Sequence, residues 1–183
     1  LPEIYSKSDI STLVGRNIFF DANVLIYIFW PTGSNSQEKE YSSILSSLIR
    51  QKNPLIVDNT IISEIYNRAF RLEFDKFAER EHLYVNPSEF KNFRNSEEGQ
   101  QIEKDISTVL KDKILKNFDV VGKSYFKPDI NKLLSGGLLD YSDRVIVDLC
   151  ESNNAVLLTN DGDFFNSSIP LLTANKKLLN NKL

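Results

Sequence analysis

Residues 17–29 read NIFFDANVLIYIF, and the fold turns on how Asp21 is understood. Ile18, Phe19 and Phe20 form a short β-type run, and from about Asn23 to Trp30 the apolar residues continue as a helix. Asp21 therefore stands where a buried strand ends and a helix begins. A carboxylate in that place is costly unless something pairs with it. It either caps the helix or helps to hold a cation. The choice depends on where the other acids of the chain stand.

Outward from this stretch, short apolar runs alternate with helical patterns. PLIVD at 54–58 is a second strand, and residues 59–80 form a long helix with Asn59 or Thr60 as its cap and an Ile61–Ile65–Ala69 stripe. Between the two strands, PTGSN (31–35) is a turn by composition. Residues 37–51 place Tyr41, Ile44, Leu45 and Leu48 at helical spacing. Residues 82–135 are harder to divide, although 102–118 is an amphipathic helix and 129–137 a shorter one ended by glycine. Beyond it come a helix at 140–154, a strand AVLLT at 155–159, a turn into a short helix at NDGDFF, a last strand IPLLT at 169–173 and a last helix in ANKKLLNN. The alternation predicts an α/β fold, a short parallel sheet covered by helices on both faces. With 183 residues and no repeat, low-complexity stretch or linker, the expectation is a single domain over 1–183.

Composition narrows the chemistry. Hydrophobic residues make up 41% and charged residues 26%, ordinary for a globular chain, and no apolar run approaches the roughly 20 residues of a membrane span. LPEIYSKSDI lacks the layout of a secretory leader, and Cys150 has no partner for a disulfide, so a reducing, cytoplasmic setting is expected. One His (His82, at an exposed helix end) and one Cys leave no material for a nucleophilic triad or a Cys/His zinc site. No phosphate-binding glycine loop occurs. A net charge of −3 argues against a broad phosphate-binding surface; contact with nucleic acid needs a local basic patch or a bridging cation. Carboxylates, 25 of them, are the reactive groups that remain.

In open α/β sheets, ligands collect outside the carboxyl ends of the strands. Asp21 follows the strand IFF and Asp161 follows VLLT. Glu64 lies in the first turns of the helix after LIV, and Asp143 in the first turn of the helix that feeds AVLLT. Four acids on one edge do not all ionise cheaply without a cation, and an all-oxygen set prefers a hard one, Mg²⁺ or Mn²⁺. Taken singly, each acid has an ordinary structural explanation. Asp21 can cap, Glu64 can pair with Arg68, Asp140 and Asp143 can form a capping pair, and TNDGD (159–163) can be a turn. The turn is not a calcium loop, because the acidic ladder and distal Glu are missing.

Together the order and context match a family. IFFDANVLIYIF, VDNTIISEIYNR, DYSDRVIVDLCESNNAVLLTNDGDF and IPLLT resemble the PIN domain, in particular the VapC-type toxins of toxin–antitoxin pairs. The resemblance covers about 17–70 and 138–175; residues 71–137 exceed what a minimal member needs, and are expected to form an extended helical insertion. The family's Rossmann-like fold carries an acidic quartet that matches Asp21, Glu64, Asp143 and Asp161, with Asp140 and Asp163 as competing acids nearby. Asn23 matches the polar position beside the first Asp, and Thr159 or Asn160 the polar residues before the last.

The resemblance implies an endoribonuclease dependent on Mg²⁺ or Mn²⁺, with RNA as substrate, a cognate antitoxin as partner and a homodimer as a common assembly. Asp21, Glu64, Asp143 and Asp161 are then the metal ligands. Asn23, Thr159 and Asn160 orient them. Arg68 and Arg144 are candidates to hold phosphate, each with an ion pair (Glu64–Arg68, Asp140–Arg144) as the alternative. Two other functions compete: a PIN-like module that binds RNA or protein without chemistry, and a PIN nuclease of RNA processing. A dehalogenase-type phosphatase needs D-x-D where this chain has DAN.

Overall fold

A computed structural model describes residues 2–30 and 35–180 of the chain. Its centre is β2 (Asn17–Phe20), the strand expected from NIFF, followed by α1 (Ala22–Phe29), α2 (Asn35–Gln51), β3 (Leu55–Asp58) and α3 (Asn59–Arg80). Before β2 lie a two-residue strand, β1 (Ile4–Tyr5), and a 3₁₀ turn over Lys7–Leu13. After α3 come α4 (Pro87–Asn95), α5 (Glu97–Val109) continuing into a π-helical turn (Leu110–Leu115), and β4 (Asp119–Val121). The chain ends with α6 (Lys127–Leu134), α7 (Tyr141–Ser152), β5 (Ala155–Leu158), a 3₁₀ turn (Asp163–Asn166), β6 (Leu171–Leu172) and α8 (Lys176–Leu179). The turn expected at 31–35 lies outside the described residues except for Asn35, which opens α2.

The sheet is six-stranded and parallel, in the order β1-β6-β5-β2-β3-β4. Its inner strands are buried along their length, which is why they read as continuous apolar runs rather than alternating ones. α1 packs on α2 and α3, and α6 packs on α7, which lies against β5, so helices cover both faces. One apolar core runs from Phe19, Leu25 and Leu157 in the centre out to Phe93, Ile106 and Ile114. Residues 71–137 are therefore joined to the sheet, through this core and through β4, whose Val120 pairs with Val57. An aromatic stack continues that junction: Phe70 and Phe74 of α3 meet the edges of Phe90 at 5.9 and 5.2 Å, and Phe77 packs at 4.7 Å from Phe93.

Several local expectations are corrected. The cap of α3 is Asp58, not Asn59 or Thr60: the last residue of β3 stays extended, and its carboxylate accepts from the N–H groups of Thr60 and Ile61. β1, β4 and α4 lie outside the elements expected from periodicity, and the strand expected over 169–173 shortens to two residues. α6 does end at glycine, with Gly136 at φ +94 and Gly137 at φ +139.

Candidate active site

Strand register decides which acids meet. Phe20 pairs with Leu158, so Asp21 and Thr159 stand side by side, each one residue past the carboxyl end of its strand. The Asp21 N–H donates to the Leu158 carbonyl at 3.0 Å, holding the junction shut. β2 is also where the strand order reverses, because the chain passes from β2 to β3 on one side and later lays β5 on the other. Crevices form at such points.

Asp21 is 5% exposed and Thr159 fully buried. Asp21 occupies the position preceding α1, but its side chain makes no capping hydrogen bond. Instead Oδ2 accepts from the Thr159 hydroxyl at 2.5 Å and from Asn23 Nδ2 at 2.6 Å. Both partners are held in turn. The Thr159 hydroxyl accepts from the Asp161 N–H at 2.9 Å, which leaves its own proton for Asp21. Asn23 Oδ1 accepts from the Asn160 N–H at 3.2 Å, which turns the amide nitrogen toward Asp21. The cap explanation of Asp21 therefore fails, and the three expected orienting residues all stand in its network.

The network extends beyond what the sequence suggested. Tyr41, buried in α2, donates to Asn160 Oδ1 at 2.7 Å, and Asn175 Nδ2 donates to the Asn160 carbonyl at 2.7 Å. Tyr41 reads as a core residue in its helical stripe; its hydroxyl is the only hint of another role. Asn175 carries a signal, as a cap residue before KK, and it does cap α8.

The remaining acids surround Asp21 with like charge. Burial pushes the Asp21 carboxyl up to about 6; Thr159 and Asn23 draw it back, and the charges of Glu64 and Asp161 raise it further. Asp143 is also pushed up to about 6, by burial first, then by Asp140, Asp161, Asp21 and Asp163. The fields of all four expected acids thus overlap. Their side chains do not close on one point. Among the described residues, no three His, Cys, Asp or Glu side chains are grouped closely enough to hold a metal ion. Glu64 is turned to Arg68 at 3.2 Å, in a pair about two-fifths exposed. Asp161 Oδ1 accepts from the Asp163 N–H, an Asx turn at TNDGD.

Asp140 and Asp143 have distinct places. Asp140 is exposed and caps α7 by accepting from the Asp143 N–H at 2.8 Å, whereas Asp143 is half-buried toward the other acids. No Asp140–Arg144 ion pair forms among the described residues. Arg144 lines a cleft of about 190 Å³ with Leu133, Leu139, Val147, Asp148 and Glu151. Its buried Nε has no partner.

In kind and charge, the donor set fits a hard divalent cation: oxygen ligands only, with mutual repulsion that a cation relieves. Asp21 and Asp143, both raised toward neutral pH, are the residues that would gain most. Glu64 must leave Arg68 to join them. Against known families, the model of the PIN domain matches residues 18–168, well over half of the chain. No curated protein matches it.

Proposed function

The chain belongs to the PIN domain family, and from that premise we propose that it is a metal-dependent endoribonuclease, acting as the toxin of a toxin–antitoxin pair. The observation that carries the chemistry is the buried Asp21 carboxylate, held by two donors and raised by burial and then by its acidic neighbours. In a domain with one His and one Cys, that cluster is the available means of activating water. Asp21 and Asp143 would hold Mg²⁺ or Mn²⁺ directly, with Glu64 and Asp161 completing the set directly or through water. The bound cation supplies neutralisation of the scissile phosphate and a lowered pKa for the attacking water.

The chain's own residues do the rest. Thr159 and Asn23 fix the Asp21 carboxylate, so it need not reorganise when charge builds on the phosphate. Glu64, on the helix rim, orients the attacking water once released from Arg68, and Arg68 is then free to face a phosphate oxygen. Asp143, whose carboxyl is raised to about 6 by burial and by its acidic neighbours in the metal-free protein, would be relieved by the cation it helps to hold. A cognate antitoxin and a homodimer follow from the same family reading.

One observation favours a second function. Glu64 is engaged by Arg68 and no three-acid group forms among the described residues, as suits a PIN-like module that binds RNA or protein without cleaving it. Cleavage of a mixed-sequence single-stranded RNA separates the two. Wild type should cleave with Mg²⁺ or Mn²⁺ and stop with EDTA, and Asp21→Asn should be inactive. Cleavage in EDTA overturns the metal mechanism, and no cleavage with either ion favours the binding module.

A further inference from the structure

The cleft between α4 and α5, about 850 Å³, is lined by Phe90, Lys91, Arg94, Lys104 and Lys111, with Glu103 its one acid. We propose that this cleft binds the sugar–phosphate backbone of a single-stranded RNA. Four cations face one carboxylate in a chain whose net charge is −3. That is the local basic patch an acidic protein requires to meet a polyanion. Among the described residues none of the four cations is in an ion pair, and Glu103 is occupied in accepting from the Tyr66 hydroxyl at 2.8 Å.

The cleft is built rather than incidental. α4 and α5 meet with no loop between them. Ser96 ends α4 through its N–H on the Phe93 carbonyl, and caps α5 by accepting from the Gly99 N–H at 3.1 Å. Gly99 permits the sharp corner, because a Cβ there would lie 1.9 Å from the Phe93 carbonyl oxygen. Lys91 and Arg94, three apart on α4, line the cleft together with Lys104 of α5 and Lys111 of the π-helical turn that follows it. Arg94 lies over the Phe70 ring at 5.7 Å, which fixes its guanidinium, and Phe90 offers a half-buried ring against which a base can stack. Tyr66 of α3 holds Glu103 of the cleft lining through its hydroxyl, and it stands two residues after Glu64 on a different side of that helix.

This inference rests on the nuclease reading for the purpose of binding but not for the binding itself, so it is tested in EDTA. Anisotropy of a labelled mixed-sequence single-stranded RNA is measured with wild type, with Lys91→Gln/Lys104→Gln/Lys111→Gln, and with Lys91→Arg/Lys104→Arg/Lys111→Arg. All three side chains are exposed, and far-UV circular dichroism with thermal melts checks that the variants fold. The Gln variant should bind at least ~10-fold more weakly at about 100 mM salt. Its log–log salt slope should be shallower by about 2, since each backbone contact to a single strand contributes about 0.7. The Arg variant should match wild type. Equal affinity and slope in the Gln variant overturn the proposal, as does failure of wild type to bind RNA. Equally tight binding of a poly-glutamate peptide of matched charge overturns the choice of RNA. Wild type that binds through the three lysines but cleaves nothing with Mn²⁺ refutes the nuclease and leaves the cleft standing. Cleavage with an unaffected Gln variant does the reverse.

Discussion

The acidic edge and the α4–α5 corner each gather charges mainly of one sign, and they do so by opposite means. At the edge, parallel strand register puts Asp21 beside Thr159 in the buried interior, and burial, with repulsion from neighbouring acids, appears as raised carboxyl pKa values. At the corner, two helices present exposed lysines that water screens, and the Ser96 cap, the close approach at Gly99 and the packing of Phe93 hold the geometry. Like charge collected in low dielectric is expensive and demands a counter-ion. Collected at the surface it costs little and can wait for a partner. The edge is therefore suited to chemistry and the corner to capture.

The sharpest way to break this contrast is inside the edge itself. Asp143 is half-buried among the acids while Asp140 is an exposed cap, so Asp143→Asn should reduce RNA cleavage at least ~10²-fold, about 2.7 kcal/mol of transition-state stabilisation. Asp140→Asn keeps a good cap and should keep most of the rate. Single-turnover cleavage with Mn²⁺ gives the ranking, and a reversed order shifts the functional acid by one helical turn.

At the corner the largest effect is steric. Gly99→Ala forces a Cβ onto the backbone of Phe93 and Arg94, so the two helices must separate. Overpacking of this kind costs about 1–3 kcal/mol. The variant should melt several degrees lower and lose RNA binding while cleavage of a dinucleotide substrate persists. An unchanged melting point means the corner is not rigid.

The buried charge gives a smaller, pH-dependent effect. The folded pKa values of Asp21 and Asp143 lie at about 6, above the ordinary 3.8, so the folded chain binds these protons more tightly than the unfolded chain. Stability from these groups accordingly falls as pH rises from about 4 to about 6, and the cost of burying and crowding the charges is fully present above that window. Asp21→Asn retains an oxygen for Thr159 and Asn23, so in EDTA at pH 8 it should melt about 2–4 °C higher than wild type. Below about pH 4 the difference should vanish. Mg²⁺ should raise the melting point of wild type more than that of the mutant. A mutant that melts lower at pH 8 places Asp21 among ordinary structural acids.

The smallest effect on stability concerns Glu64. The exposed Glu64–Arg68 pair contributes at most ~0.5 kcal/mol, so Arg68→Gln should barely move the metal-free melting point. It should nevertheless enlarge the upward shift produced by Mg²⁺, because Glu64 is released. An unchanged metal shift removes Glu64 from the ligand set.

Legibility divided along the same line. NIFFD, LIVD and VLLTND were readable as strand ends because buried parallel strands are continuous apolar runs closed by turn chemistry. The polar partners Asn23, Thr159 and Asn160 were readable only through resemblance. Nothing local says that Thr159 donates to an aspartate 138 residues away. β1 and β6, two residues each, have no period to detect, and β4 exposes Asp119 and Val120 at the sheet edge. α4 did carry a signal, Asn86 followed by Pro87, which the irregular stretch around it obscured.

The sequence by itself determined the alternation of strands and helices, the boundaries of β2 and α3, and the placing of acids one residue or a few turns past strand ends. These follow from periodicity, capping and turn residues that act within a few positions. Only the tertiary structure decided the strand order, the register that sets Asp21 against Thr159, the choice of Asp58 as cap, the turning of Glu64 to Arg68, and the meeting of Lys91 and Arg94 with Lys104 and Lys111. Each of these depends on which of several nearby partners a side chain reaches, and that is settled by packing between elements, not by the order of residues along one of them.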